Sequence, residues 1–215
     1  MSRSPRQRGR SHSLKRRVAR RPELRTIVVF TEGKNSEPDY VNALKQLAHV
    51  RENVSLQIEI DPEHGVPLTL VKSAAIRRRD PEIDECWCLF DVEWPRNHPY
   101  LKQAIDFARA HGVSLAISNP CFEVWLILHH KEFSRWCDTA EAESHSRKLD
   151  GRQGKSLEDA GQYMESRKVA ADRARRLEER HRNSGTAFPD NNPSSGMFRF
   201  LEALEGSSMQ PSDED

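Results

Sequence analysis

The sequence predicts an α/β domain: a mostly parallel four-stranded sheet flanked by helices, followed by a C-terminal helical appendage. Three observations lead there. Short β-branched and aromatic runs alternate with stretches whose apolar residues recur at helical spacing. The connections between them are short, as parallel strands joined by right-handed crossovers require. Several strand runs are apolar throughout, the pattern of strands covered on both faces.

The elements follow in order. Thr26–Thr31 (Thr-Ile-Val-Val-Phe-Thr) reads as the first buried strand. Ser36 is expected to cap a helix, with Asp39 three residues on and Tyr40, Val41, Leu44, Leu47 and Ala48 on its apolar side. Val54–Ile60 alternates Leu56, Ile58 and Ile60 with polar residues, a second strand. Pro67 opens a helix carrying Leu68, Val71, Ala75 and Ile76. Cys86–Phe90 is the third strand, ending at Asp91. A helix over 99–110 stops at Gly112, and Val113–Ile117 is the fourth strand. Asn119 then reads as a helix cap followed by a first-turn proline, Pro120, with Phe122, Trp125, Leu126 and His129 beyond.

After Lys131 the character changes. Residues 139–155 are polar and poor in apolar side chains, which predicts a loop or lid. Residues 156–182 interleave Arg and Glu as a charged helix, 183–196 is Pro/Asn/Ser-rich, and 197–204 is a short terminal helix. The domain organisation is therefore a basic arm (1–25), an α/β core (26–135), a loop and helical part (136–205) and an acidic tail (206–215).

Composition narrows the function classes. The 215 residues are 36% hydrophobic and 31% charged, enough for one domain and an appendage. No apolar run approaches a membrane span, and no hydrophobic signal segment follows the N-terminal charges. The net charge of +1 conceals an asymmetry. Residues 1–25 hold nine Arg and Lys15 against Glu23, so a +9 arm leaves −8 for the remainder. Such an arm reads as disordered and suited to phosphate backbones, with Arg16, Arg17, Arg20 and Arg21 as contacts. A solubilising leader is the competing reading, and a transit peptide would need an apolar stripe that is missing. On the charged C-terminal helix, Arg167, Lys168, Arg173 and Arg176 are further candidate phosphate contacts.

Several chemistries drop out. Cys86, Cys88, Cys121 and Cys137 give no CxxC spacing, which predicts reduced structural thiols in a cytoplasmic protein. His129 and His130 are adjacent, not the i,i+4 pair of a zinc helix, and read as packing residues. Gly33-Lys34 is not a phosphate-binding P-loop, because Val28 stands where its first glycine would fall. The chain is therefore not expected to hydrolyse ATP itself.

Carboxylates at the strand ends remain. In parallel sheets ligands sit beyond the carboxyl ends of strands. Glu32 follows the first strand, Asp91 ends the third, and Glu93 falls on the side of Asp91 if the chain stays extended. Three acids at one edge repel unless a cation lies between them, and oxygen ligands favour Mg²⁺ or Mn²⁺. Taken singly, each acid is as well explained as a turn former or helix cap. Glu37 can approach the same place or complement its helix dipole. Lys34 can steady a phosphate or be an ordinary turn lysine, and Glu123 can face the cleft or pair with an arginine.

These residues also resemble a family. Val29 through Tyr40, containing Thr31-Glu32-Gly33-Lys34, is similar to the strand-turn-helix that opens RloB-type proteins. Phe90-Asp91-Val92-Glu93-Trp94-Pro95, Ser118-Asn119-Pro120-Cys121-Phe122-Glu123 and Asn192-Pro193-Ser194-Ser195 resemble their later motifs. The resemblance implies a Toprim/Rossmann-like fold, a partner ABC-type ATPase and a role in anti-phage defence. It implies Glu32 as catalytic acid/base or metal ligand, and Asp91 and Glu93 as metal ligands. Glu93 departs from the Asp more usual there, which lengthens its reach by one methylene.

The expected function is thus a Mg²⁺- or Mn²⁺-dependent nuclease on DNA or RNA, an effector coupled to an ATPase and possible as a homodimer. The alternative is a non-catalytic sensor or effector subunit that docks on that ATPase and is released by it.

Overall fold

The computed structural model describes residues 24–60 and 66–206. The basic-arm residues Arg16, Arg17, Arg20 and Arg21 and the acidic tail lie outside the described residues. The elements run β1 (Arg25–Thr31), α1 (Ser36–Gln46), α2 (Ala48–Asn53), β2 (Val54–Ile60), α3 (Pro67–Arg77), β3 (Glu85–Asp91), α4 (Leu101–His111), β4 (Ser114–Asn119) and α5 (Glu123–His130). Then follow α6 (Thr139–Asp150), a 3-10 turn (Ala160–Tyr163), α7 (Arg167–Asn183), β5 (Ser194–Ser195) and α8 (Met197–Glu205). No helix among the described residues is long and apolar enough to cross a membrane.

The sheet has five strands, not the expected four, in the order β2-β1-β3-β4-β5. The first four are parallel. β5 adds an antiparallel edge of two residues, Ser194 and Ser195 on Asn119 and Ser118. Two serines carry no strand signal, and tertiary contact alone makes them one. Gly196 seals the junction: its N–H donates to Ile117 O at 2.8 Å, and a Cβ there would stand 3.0 Å from the Ile117 nitrogen.

Alternation along the strands builds two cores. On one face Ile27, Val29, Trp87 and Leu89 pack with Tyr40, Val41 and Leu44 of α1, Trp125 and Leu128 of α5, and Phe200 of α8. On the other, Val28, Phe30, Cys86, Cys88 and Phe90 meet Leu70, Val71 and Ala74 of α3 and Leu101, Ala104 and Ala108 of α4. Ile76, read as part of the α3 apolar stripe, is instead exposed. The connection out of β1 runs to β2 on one side, and the next crosses to β3 on the other. The connections leaving the adjacent carboxyl ends of β1 and β3 therefore diverge, the position where open α/β sheets leave a crevice.

Three local expectations are corrected. The segment 139–155, read as a loop, begins with α6. A capping box starts that helix: Asp138 Oδ1 accepts from Glu141 N at 2.8 Å, and Glu141 Oε2 from Asp138 N at 3.2 Å. Gly151, at φ +77°, ends it. Few apolar residues are needed, because Ala142 and Ser146 suffice as its buried face. The charged helix read from residue 156 begins only at Arg167. Leu157 N donates to Asp39 Oδ2 at 2.9 Å instead of entering a helical ladder. Neither Ser36 nor Asn119 caps a helix through its side chain. Ser36 Oγ donates to Lys155 O at 2.7 Å, and α5 starts three residues later than Asn119-Pro120 implied. The cysteines are all buried and unbridged, and His129 packs in the core, its Nε2 3.0 Å from Tyr40 Oη.

Replacing Asp138 by Ala removes one half of the α6 capping box and should cost about 1 kcal/mol. Urea unfolding checks this, and an unchanged midpoint with an unchanged slope contradicts it.

Candidate active site at the sheet switch point

The crevice between the ends of β1 and β3 is a cleft of about 240 Å³ lined by Glu32, Gly33, Lys34, Glu37, Asp91, Glu93 and Glu123, with Glu143 and Lys155 at its C-terminal wall. Every acid singled out in the sequence reaches it. β1 delivers Glu32, whose N–H continues the ladder to Leu89 O at 3.2 Å. Glu32 Oε2 accepts from Asp91 N at 3.4 Å, and Oε1 lies 2.7 Å from His98 Nε2. The two strand ends are thereby tied through one carboxylate.

Asp91 and Glu93 do line the same cleft, although the chain does not stay extended. Val92 inserts into the α3–α4 core, and Glu93 turns at φ +67°, a conformation that L residues adopt only at a cost. Two bonds hold it there. Glu93 N donates to Pro120 O at 2.9 Å, and Oε2 accepts from Thr139 Oγ1 at 2.7 Å. Glu37, in the first turn of α1, is buried with its carboxylate directly over Gly33, where any Cβ would collide with it. A side chain at position 33 would have to push the flexible end of Glu37 aside, with no positive φ involved. Glu123 opens α5, buried, with Oε1 3.4 Å from the guanidinium of Arg152.

The electrostatics follow from crowding. Burial, then the charges of Glu37, Glu32, Glu123 and Glu93, push the Asp91 pKa well above the usual carboxylate range. Burial raises that of Glu37 to about 7, with Glu123 and Glu32 adding to it and backbone N–H groups opposing it. His98 is shifted upward, mainly by the Glu32 carboxylate. Two cations are committed to acids of the wall: Arg152 lies between Asp150 and Glu123, and Lys155 sits 2.9 Å from Glu143. Among the described residues, Lys34 makes no ion pair.

The donors are all oxygens except His98, the set a hard divalent cation prefers. Among the described residues, however, no three Asp, Glu, His or Cys groups are already gathered as a cage. Glu93 is turned to Thr139 and Glu32 to His98, so coordination requires their side chains to swing inward.

A family model described as RloB-like protein matches residues 27–204. The chain belongs to the RloB-like family. No curated protein and no solved structure matches it. The match spans the sheet, the cleft and the RloB-like chain's C-terminal helices together, and all four resembling motifs fall inside it.

Other predicted residues of the RloB-like protein sit elsewhere. Asn119 ends β4, where Oδ1 accepts from Trp94 Nε1 at 2.9 Å and Nδ2 donates to Pro189 O at 2.8 Å. It ties the Trp94 loop to the segment before β5, and Pro120 follows through a cis peptide. On α7, Arg167 pairs with Glu205 at 2.7 Å, Lys168 lies 3.9 Å from Glu205, Arg173 donates to Leu128 O at 2.6 Å, and Arg176 pairs with Glu132 at 3.0 Å. Sequence reasoning missed His98, Thr139, Glu143, Arg152 and Lys155. Their partners are 29 to 66 positions away or lie within a segment read as a loop, and no local spacing announces them.

A pH dependence follows from Glu37. Its folded pKa lies above the ordinary value of 4.5, so the native state binds the proton more tightly. The associated loss of stability is absent below about 4.5, grows as pH rises and is complete above about 7. Glu37→Gln should therefore stabilise the metal-free protein at alkaline pH by on the order of 2 kcal/mol, with the gain vanishing in acid. Urea unfolding in chelator across that range tests the sign, and a gain that grows on acidification refutes it.

Proposed function

We propose that this RloB-like protein is a Toprim-like nuclease, dependent on Mg²⁺ or Mn²⁺, that hydrolyses phosphodiesters of DNA or RNA. Five acids from β1, α1, β3 and α5, converging at the switch point with too few cations to neutralise them, are the observation that carries the reading. Their repulsion is relieved by protons or by a divalent cation, and only the cation also attracts a phosphate. Asp91, Glu93 and Glu32 are the residues that would hold it. When bound, a divalent cation polarises a phosphoryl oxygen and neutralises charge as it develops.

The chain's own residues do the remainder. Glu32, with His98 against it, forms a proton-accepting and proton-donating pair at the end of β1. Lys34, in the β1–α1 turn, lines the cleft and would steady a phosphate oxygen. Glu37 and Glu123 set the charge of the floor, and Arg152 holds Glu123 in position. The basic arm would serve as a phosphate contact outside the cleft, and Arg167, Arg173 and Arg176 of α7 would join it only by leaving Glu205, Leu128 O and Glu132. A partner ABC-type ATPase, a homodimer and an anti-phage role belong to this proposal through the family resemblance. The unbridged thiols support a reducing, cytoplasmic setting.

A second reading has one observation in its favour: Glu32 and Glu93 are already engaged, and no ready cage exists among the described residues. In that reading the chain is a non-catalytic subunit docking on the ATPase.

The experiment is incubation of the full chain with tRNA and with plasmid, alone and with an ABC-type ATPase encoded beside it if one is found there, in Mg²⁺ or Mn²⁺. Wild type should cleave, Asp91→Asn should lose on the order of 100-fold, and Glu32→Gln between about 100- and 10,000-fold. Calorimetry should show Mn²⁺ binding that Asp91→Asn abolishes. Absence of cleavage together with absence of metal binding favours the docking subunit.

A further inference from the structure

The acids of the cleft come from the sheet ends, α1, α5 and α6, but one of its two lysines arrives from far along the chain. Between α6 and the 3-10 turn, residues 151–159 form a strap across the start of α1. Two hydrogen bonds clamp it: Ser36 Oγ donates to Lys155 O at 2.7 Å, and Leu157 N donates to Asp39 Oδ2 at 2.9 Å. Arg152 anchors the same strap from behind, with its guanidinium, 9% exposed, between Asp150 and Glu123.

The backbone of Lys155 is therefore fixed while its side chain stays 61% exposed at the mouth of the cleft. Among the described residues its ammonium has one ion-pair partner, Glu143 Oε1 at 2.9 Å, on the better covered wall of α6 (18% exposed). Glu123 and Glu93 also act on its charge from across the cleft. An exposed lysine pair of this kind is weak and easily exchanged, and the long stem can redirect the ammonium without moving the strap.

Six carboxylates and two lysines line the cleft. A phosphodiester entering it meets net negative charge. A cation at the strand ends can offset that on one side only. Lys34 and Lys155 stand on separate segments, the β1–α1 turn and the strap, and are the cationic side chains that line the cleft among the described residues.

We propose that Lys155 is a phosphate-contacting residue of this cleft: its ammonium leaves Glu143 for a non-bridging oxygen of a nucleic-acid strand, and Glu143 parks it when the cleft is empty of substrate. The proposal deepens the nuclease reading and rests on it. The plainer alternative is a tether in which Lys155 and Glu143 merely join the strap to α6. The two make opposite forecasts for Glu143. A tether is lost whichever partner is removed, whereas a parked contact is released when Glu143 loses its charge.

The test uses the full chain with Ca²⁺ in place of Mg²⁺ and a short fluorescein-labelled single-stranded oligonucleotide, followed by anisotropy over a salt series. Lys155→Gln should bind about 5- to 10-fold more weakly and lower the salt slope by about 0.7, the value for one lost phosphate contact to a single strand. Lys155→Arg should retain affinity, and Glu143→Gln should bind as tightly as wild type or more so. Melting temperatures of all variants are measured alongside, and binding through the basic arm is a background common to all. Equal weakening by Lys155→Gln and Glu143→Gln with equal losses in melting temperature establishes the tether and overturns the proposal. An unchanged affinity and slope for Lys155→Gln overturns it as well. Lys155-dependent binding by a wild-type protein that cleaves nothing supports the contact and counts against the nuclease reading, so the two failures are distinguishable.

Discussion

Mutual repulsion among carboxylates held at the adjacent carboxyl ends of β1 and β3 is the constraint around which the rest of the cleft is organised. In a partly buried site such charges interact more strongly than in water, and the fold cannot disperse them without breaking the sheet. It compensates locally. His98 lies against Glu32, Arg152 joins Glu123 to Asp150, Thr139 donates to Glu93, and Lys155 faces Glu143. What remains uncompensated appears as the raised pKa of Asp91 and Glu37. A folded domain that retains an unfavourable cluster of this kind gives up stability there, the mark of a candidate functional site.

The rigidity that tolerates this comes from the two cores. β1 and β3 are covered on both faces, so their ends are fixed to within the precision of the hydrogen-bond ladder. The register that opposes Thr31 to Leu89 puts Glu32 across from Phe90, one residue short of Asp91, and the Glu32 carboxylate spans the difference to Asp91 N at 3.4 Å. The C-terminal part is bound into the same structure: α7 and α8 pack in the core that holds α1 and α5, and the strap is pinned to α1. The appendage thus contributes a wall of the cleft, which is why it carries Thr139, Glu143, Arg152 and Lys155 within reach of acids from the sheet.

Legibility in the sequence tracked the range of the interactions. The strand Thr26–Thr31 and its terminal Glu32 were readable because an apolar run followed by an acid and a glycine is a local pattern. Asp91 and Glu93 were readable as neighbours, although the turn at Glu93 replaced the extended chain that had been assumed. α6 escapes a reading by periodicity because its buried face is only Ala142 and Ser146, although Asp138 and Glu141 spell its capping box at local spacing. Ser36 and Asn119 look like caps in sequence, yet both are used across space, for Lys155 O and for Trp94 and Pro189. Side chains able to cap a helix end serve a distant backbone equally well when the fold offers one.

By itself, then, the sequence determined the alternation of strands and helices, the parallel core, the family and the acids that end β1 and β3, since periodicity and short motifs encode burial and chain direction. Only the tertiary structure decided which basic and hydroxyl groups stand against those acids, that two serines close the sheet as β5, and that a strap from beyond residue 150 completes the cleft. Those pairings join residues tens of positions apart, and their energies depend on distance and burial, which no local spacing records.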